Sequence, residues 1–138
     1  RDRLSMIYVE NCRPAETTSL RMDVGVRLPL GTTAAGRAYL AAMKEDERSH
    51  VIAALATRSP DNWAETSARL DKAFEDYARH GFWDRNVNAA GVPLHLQDGT
   101  IMALTCGAPS YLVSEEKVQN QLAHQLAMLA RDIERLGV

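Results

Sequence analysis

Val87-Asn88-Ala89-Ala90-Gly91-Val92-Pro93-Leu94-His95-Leu96, then Gln97-Asp98-Gly99, then Thr100-Ile101-Met102-Ala103-Leu104-Thr105-Cys106-Gly107 is the stretch that decides the fold class. Two runs rich in strand formers flank an Asp-Gly pair, the composition of a β-hairpin turn. Adjacent antiparallel strands need only such a turn, whereas parallel strands need a crossover. Alternation along each run puts Val87 and Ala89 on one face and Thr105 and Gly107 on one face. Cys106 then belongs to the opposite face, where a small buried hydrophobe is the plain expectation.

Working outward, Pro109 stops the second strand and Ser114 caps a final helix with Glu115 and Glu116 in its first turn. Val118, Leu122, Leu126, Leu129, Ile133 and Leu136 form its expected buried stripe, and Gly137 ends it. Upstream, Ser59-Pro60 opens a helix whose stripe is Trp63, Thr66, Leu70, Phe74 and Tyr77, with Gly81 at its C-cap. Trp63 is expected in the core; Trp83 follows a loop after Gly81, where a pocket wall and a packing anchor are equally open readings. Leu4 to Glu10 and Thr17 to Val24 read as strands. Leu28-Pro29-Leu30-Gly31 is extended, because the residue before a proline is pushed out of the helical region. Thr32 or Thr33 then caps a helix over 34–44, and Glu45-Asp46-Glu47 opens another that runs to about Ala56. The order is β-β-α-α-α-β-β-α. With no βαβ alternation, the class is α+β, with helices packed on an antiparallel sheet.

The composition sets limits on function. The chain has 138 residues with 46% apolar content, which suits a single domain with its own core. Sixteen basic against 18 acidic residues leave no basic stripe of the kind a DNA-binding surface needs. No stretch is long and apolar enough for a transmembrane helix. Two cysteines, Cys12 and Cys106, cannot build a disulfide framework, so a reduced, cytoplasmic setting is expected. The opening Arg1-Asp2-Arg3 has no initiator methionine and reads as the middle of a longer gene product.

Catalytic chemistry finds little to work with. His50, His80, His95 and His124 show no zinc-ligand spacing, and there is no G-x-S-x-G elbow or P-loop. Structural or surface roles are expected for all four histidines, and no metal, cofactor or catalytic residue is assigned. The special geometry lies elsewhere, in Leu28-Pro29-Leu30-Gly31-Thr32-Thr33-Ala34-Ala35-Gly36-Arg37-Ala38. A turn there delivers small residues to the start of a helix. Free N–H groups and the helix dipole at that point favour a carboxylate or phosphate. The same small side chains would equally allow tight helix–sheet packing, and the residues alone do not choose between the two.

This stretch, with Leu20 to Leu30 before it, resembles the effector-binding domain of IclR-type bacterial transcriptional regulators. The resemblance continues in order through Thr33-Ala34-Ala35-Gly36-Arg37-Ala38, Leu40-Ala41, Gly81-Phe82, Gly91-Val92-Pro93-Leu94, Asp98-Gly99, Ala103-Leu104, Ala108-Pro109 and the helix ending Leu136-Gly137. It implies a curved antiparallel sheet with helices on both faces, like the GAF, PAS and profilin-like sensor domains. It further implies a small-molecule effector, an organic acid with aromatic acids among the candidates. Pairing as a homodimer or homotetramer is implied too, with operator DNA bound through an N-terminal winged helix-turn-helix absent from this chain. The effector-binding positions it implies are Met22, Leu28, Ala34, Ala35, Val87, Ala89, Thr105 and Gly107. Only Thr105 keeps a polar handle where some members carry cysteine and hydroxyls, so those members' ligands do not transfer. Members also usually have several more residues between Gly81-Phe82 and the next strand. An omission between Phe82 and Trp83 is therefore expected. A dimerisation module with a vestigial pocket, or an enzyme acting on a small acid, are the competing readings.

Overall fold

The computed structural model describes residues 1–12, 23–77, 82–84 and 88–137. The strand expected over Thr17 to Val24 falls largely outside them, as do Met22, His80, Gly81 and Val87.

β1 (Ser5–Ile7) pairs antiparallel with β2 (Arg27–Pro29), Met6 standing opposite Leu28. Leu28 and Pro29, expected only to be extended, are thus strand residues. Asp2 and Arg27 form an ion pair beside this two-stranded sheet. Leu30 leaves β2 into a turn and α1 (Ala34–Ala42) follows. Thr33 is the N-cap: its hydroxyl accepts from the Gly36 N–H at 3.2 Å and donates to the Pro29 carbonyl at 2.8 Å. That single side chain closes both the turn and the first turn of the helix.

α2 (Glu45–Arg58) begins with three acidic residues, where the dipole favours them, and buries only Val51. Pro60 opens a short 3-10 turn (Pro60–Asn62) that leads into α3 (Trp63–Tyr77). Leu70 is buried, while Trp63 and Phe74 pack half-buried against a core of Met6, Leu30, Ala35, Leu40, Met43, Val51 and Leu70. Trp63 is therefore a wall of the core and not its interior.

β3 (Phe82–Asp84), β4 (Asn88–His95) and β5 (Ile101–Ala108) form a three-stranded antiparallel sheet in that order. The hairpin turn sits where Asp98-Gly99 indicated: Gly99 takes a left-handed φ of +85°, and the Asp98 carboxylate accepts from the Thr100 N–H at 2.8 Å. Phe82 and Trp83 are consecutive rungs of β3, opposite Gly91 and Ala90. Trp83 is a strand residue, because pairing to β4 organises three residues too short to show alternation.

The last helical stretch starts with α4 (Glu115–Lys117), capped by Ser114, passes through a π-turn at Val118–Leu122 and continues as α5 (Ala123–Arg135). Its buried face keeps most of the expected stripe, with Val118 and Leu126 buried and Leu122 and Ile133 packed against them, but loses Leu129 and Leu136. Ala123, Leu126 and Ala130 lie against Ala90, Val92 and Leu94 of β4, whereas Leu129 is 50% and Leu136 79% exposed. Alanines sit flush on a sheet and centre the contact with Leu126, so Leu129 and Leu136 fall at the rim. α1 covers the opposite face of the same sheet, over Gly91 and Ala103. Helices on both faces of an antiparallel sheet make the α+β class plain. The described strands fall into two antiparallel sheets.

Candidate ligand-binding face

The face of β4 and β5 that meets α1 is made almost entirely of small residues. Ala89 stands opposite Gly107 and, one pleat period or about 7 Å along, Gly91 stands opposite Thr105. α1 lands on it at its first residue. A Cβ placed on Gly91 would come within 2.6 Å of the Ala34 carbonyl oxygen, so the backbones of helix and strand are in direct approach. Gly36 is needed in the same way on the other side, where a Cβ would lie 1.9 Å from the Leu30 carbonyl oxygen. At these two glycines the packing role of the small residues is real.

Gly91 is where the helix backbone meets the sheet. Beyond it, towards the Asn88–Ala108 end, Ala89 and Thr105 are half-buried and Gly107 is exposed. A Cβ at Gly107 would meet Ala89 and the Asn88 carbonyl first, not a large side chain. Asn88, itself buried, donates to the Val113 carbonyl and anchors the segment after β5. The Ala34 and Ala35 N–H groups, first in α1, have no carbonyl one turn back within the helix to receive them. Gly36 is already committed to Thr33. Ala34, Ala89, Thr105 and Gly107 therefore share one face.

Leu28 and Ala35 do not join them: Ala35 is a member of the main core and Leu28 packs against it, which places both behind the helix terminus. Met22 and Val87 lie outside the described residues. β3 places Asp84 as the register partner of Ala89, a strand pairing that sequence reasoning missed. A three-residue strand gives too little alternation to be found in advance.

The charged groups with altered affinity for protons lie at the other end of the hairpin. Hydrogen bonds from Thr100 hold the Asp98 carboxyl below its ordinary range. The His95 backbone N–H, 2.8 Å from Glu134, does the same for that carboxyl against the opposing effect of burial, with His95 and Arg131 adding to it. His50 and His124 are exposed on helices, and Cys106 is exposed too. The expectation that Cys106 is a buried small hydrophobe fails because α5 lies over β4, and the outer strand β5 is less covered. Among the described residues no three His, Cys, Asp or Glu side chains gather as metal ligands, and no helix is long and apolar enough to cross a membrane.

The domain is α+β, with a helix terminus set on a small-residue hairpin, and comparison with known proteins places it more closely. The family model described as bacterial transcriptional regulator IclR C-terminal matches residues 1–135. The chain belongs to that family. It is 36% identical over 84 residues to the HTH-type transcriptional regulator TsaQ1/TsaQ2 of Comamonas testosteroni, a match covering 59% of this chain and 30% of that protein. It is also similar to an IclR family transcriptional regulator from Brucella abortus, with a TM-score of 0.91 and 33% identity over 99% of this chain and 54% of that one. The inducer-binding domain of PobR from Acinetobacter, solved as a double mutant with 3-hydroxybenzoic acid, shares the fold with a TM-score of 0.69 at 16% identity, over 96% of this chain and 83% of that one. The chain spans about half the length of the Brucella regulator and less of the Comamonas one.

Proposed function

We propose that this domain senses a small organic acid for a DNA-binding regulator, holding it on the Ala89–Gly107 face beside the first turn of α1. The observation that carries the reading is the landing of the α1 terminus on Gly91, one pleat period from the pair of half-buried Ala89 and exposed Gly107. The Ala34 and Ala35 N–H groups meet the carboxylate and the Thr105 hydroxyl a second polar group, while the flat small-residue rungs accept an apolar body. Met22, Leu28, Ala35 and Val87 complete or back the pocket. Aromatic acids are the first candidates, since little in this lining would repay a highly polar ligand for the water it gives up.

The sensor works within a longer regulator that is cytoplasmic, binds its operator through an N-terminal winged helix-turn-helix, and pairs as a dimer or tetramer. A ligand then acts only through unequal affinity for two arrangements of the pair; equal affinity shifts nothing. The exposed Gly107 beside small, half-buried Ala89 favours a working pocket over a vestigial one, which large side chains would fill.

A thermal-shift panel of small carboxylic acids, 3-hydroxybenzoate among them, tests the reading. A ligand at about 100 times its Kd adds about 2.7 kcal/mol to stability, a readable rise in Tm. Ala89→Leu projects bulk onto the rung and is expected to abolish the rise while the free domain melts as before. Unchanged affinity in Ala89→Leu by calorimetric titration overturns the site.

A further inference from the structure

Arg37 sits one turn into α1 and is only 7% exposed, the most deeply buried charged side chain among the described residues. A guanidinium out of water is costly unless its donors are used, and an apolar residue of similar length would fill the same space without that cost. What it touches is therefore informative. Helical side chains lean towards the N-terminus of their helix. Arg37 follows this rule: its Nη2 reaches back to donate to the Thr32 carbonyl at 3.4 Å. Thr32 is one of its contacts and not the whole of them.

Thr32 lies in the turn that sets how α1 begins. Upstream, that turn is tied by Thr33 to the Pro29 carbonyl. From within the helix, Thr33 also receives the Gly36 N–H. Thr33 is thus fixed on both sides, and Arg37 holds the peptide just before it. That peptide, linking Thr32 to Thr33, leads directly into the peptides that carry the Ala34 and Ala35 N–H groups. We propose that Arg37 is a positioning residue: its buried guanidinium braces the Thr32 peptide so that the Ala34 and Ala35 N–H groups stay aimed over the Ala89–Gly107 rung. The proposal rests on the ligand site above, and it says which side chain keeps that site in shape without touching the ligand.

Arg37→Met and Arg37→Lys test it in the folded domain by amide NMR, together with titration of 3-hydroxybenzoate. In Arg37→Met the amide signals of 32–36 are expected to move and the Gly36 N–H to exchange about tenfold faster, a local opening that leaves the distant 96–100 turn unchanged. Lysine keeps a donor on a long stem and is expected to restore the wild-type pattern. Affinity for the acid should fall in Arg37→Met and recover in Arg37→Lys. A folded Arg37→Met with the 32–36 amides unmoved overturns the proposal, as does a lower Tm with no change confined to that turn. Loss of folding in both variants assigns Arg37 to the core alone and overturns it too. If the wild type binds no acid, the site reading fails, while the amide signals still decide the brace.

Discussion

Replacing Gly36 by alanine sets two effects of opposite sign against each other. In an ordinary helix interior the change is favourable by about 1 kcal/mol, because glycine surrenders more backbone freedom on folding. Here the new methyl would lie 1.9 Å from the Leu30 carbonyl oxygen and 2.5 Å from its carbon, where ordinary contact begins at 3.4 Å. The obstacle is backbone, and Leu30 is fully buried, so no side-chain rotation relieves it. About 1.5 Å of separation must come from moving the whole first turn of α1, a worse case of overpacking than the usual cost of about 1–3 kcal/mol. The clash therefore exceeds the propensity gain, and a net loss of about 2 kcal/mol is expected. With a urea m-value of about 2 kcal/mol/M for a domain of this size, the midpoint falls by about 1 M. Gly31→Ala is the control: its methyl would meet only side-chain ends, Thr66 Cγ2 at 3.3 Å and Leu55 Cδ1 at 3.7 Å, and a shift below about 0.3 M is expected. Urea unfolding followed by tryptophan fluorescence reads both variants. A Gly36→Ala midpoint at or above wild type would refute the close approach of α1 to Leu30, and with it the placement of the helix terminus.

The corrected face of the last helix yields a second test: Leu126→Ala should cost about 2–4 kcal/mol, while Leu129→Ala, half in solvent, should cost less than about 1 kcal/mol, both by urea unfolding. Equal losses would return Leu129 to the buried face. Glu134 supplies a pH dependence. Its folded carboxyl titrates below the ordinary 4.5, so its contribution to stability is fully present above that pH and is lost as pH falls through the lower folded value. Glu134→Gln should flatten that part of the Tm-against-pH curve, and a curve parallel to wild type speaks against the His95 contact. Thr105→Val keeps the shape and removes the hydroxyl, so affinity for a bound acid should fall about threefold to tenfold, the worth of one hydrogen bond, in a calorimetric titration. No change would remove Thr105 from the ligand's contacts.

Much of the fold was legible wherever a single residue forces a local geometry. Thr33 before an alanine-rich run sets the start of α1, and Asp98-Gly99 sets the hairpin, because a cap and a left-handed glycine act within a few residues. Where pairing is decided at a distance, local pattern was silent. Arg27–Pro29 is a strand only because β1 lies beside it, and Phe82–Asp84 only because β4 does. Exposure was misjudged where the cover depends on which strand a helix crosses. Ala90 is fully buried under α5 while its register partner Cys106 is exposed, although alternation puts both on the same face.

The small residues at the candidate site show why sequence alone stops short there. A missing Cβ serves a neighbouring backbone and a ligand equally well, since both need only the space. Coordinates separate the two uses by what fills that space. At Gly36 and Gly91 the space is taken by the Leu30 and Ala34 carbonyls. At Gly107 the first atoms met belong to Ala89 and Asn88 of the paired strand, and the glycine itself is exposed. Two of the three glycines are therefore spent on bringing the helix terminus down onto the sheet, and the third lies beyond the edge of what the helix covers. The tight packing sets the first turn of α1 directly on the sheet at Gly91. Under the function proposed above, the two readings of the small-residue run are successive steps of one construction: a contact close enough to exclude any side chain, and next to it an exposed glycine where a small acid would sit.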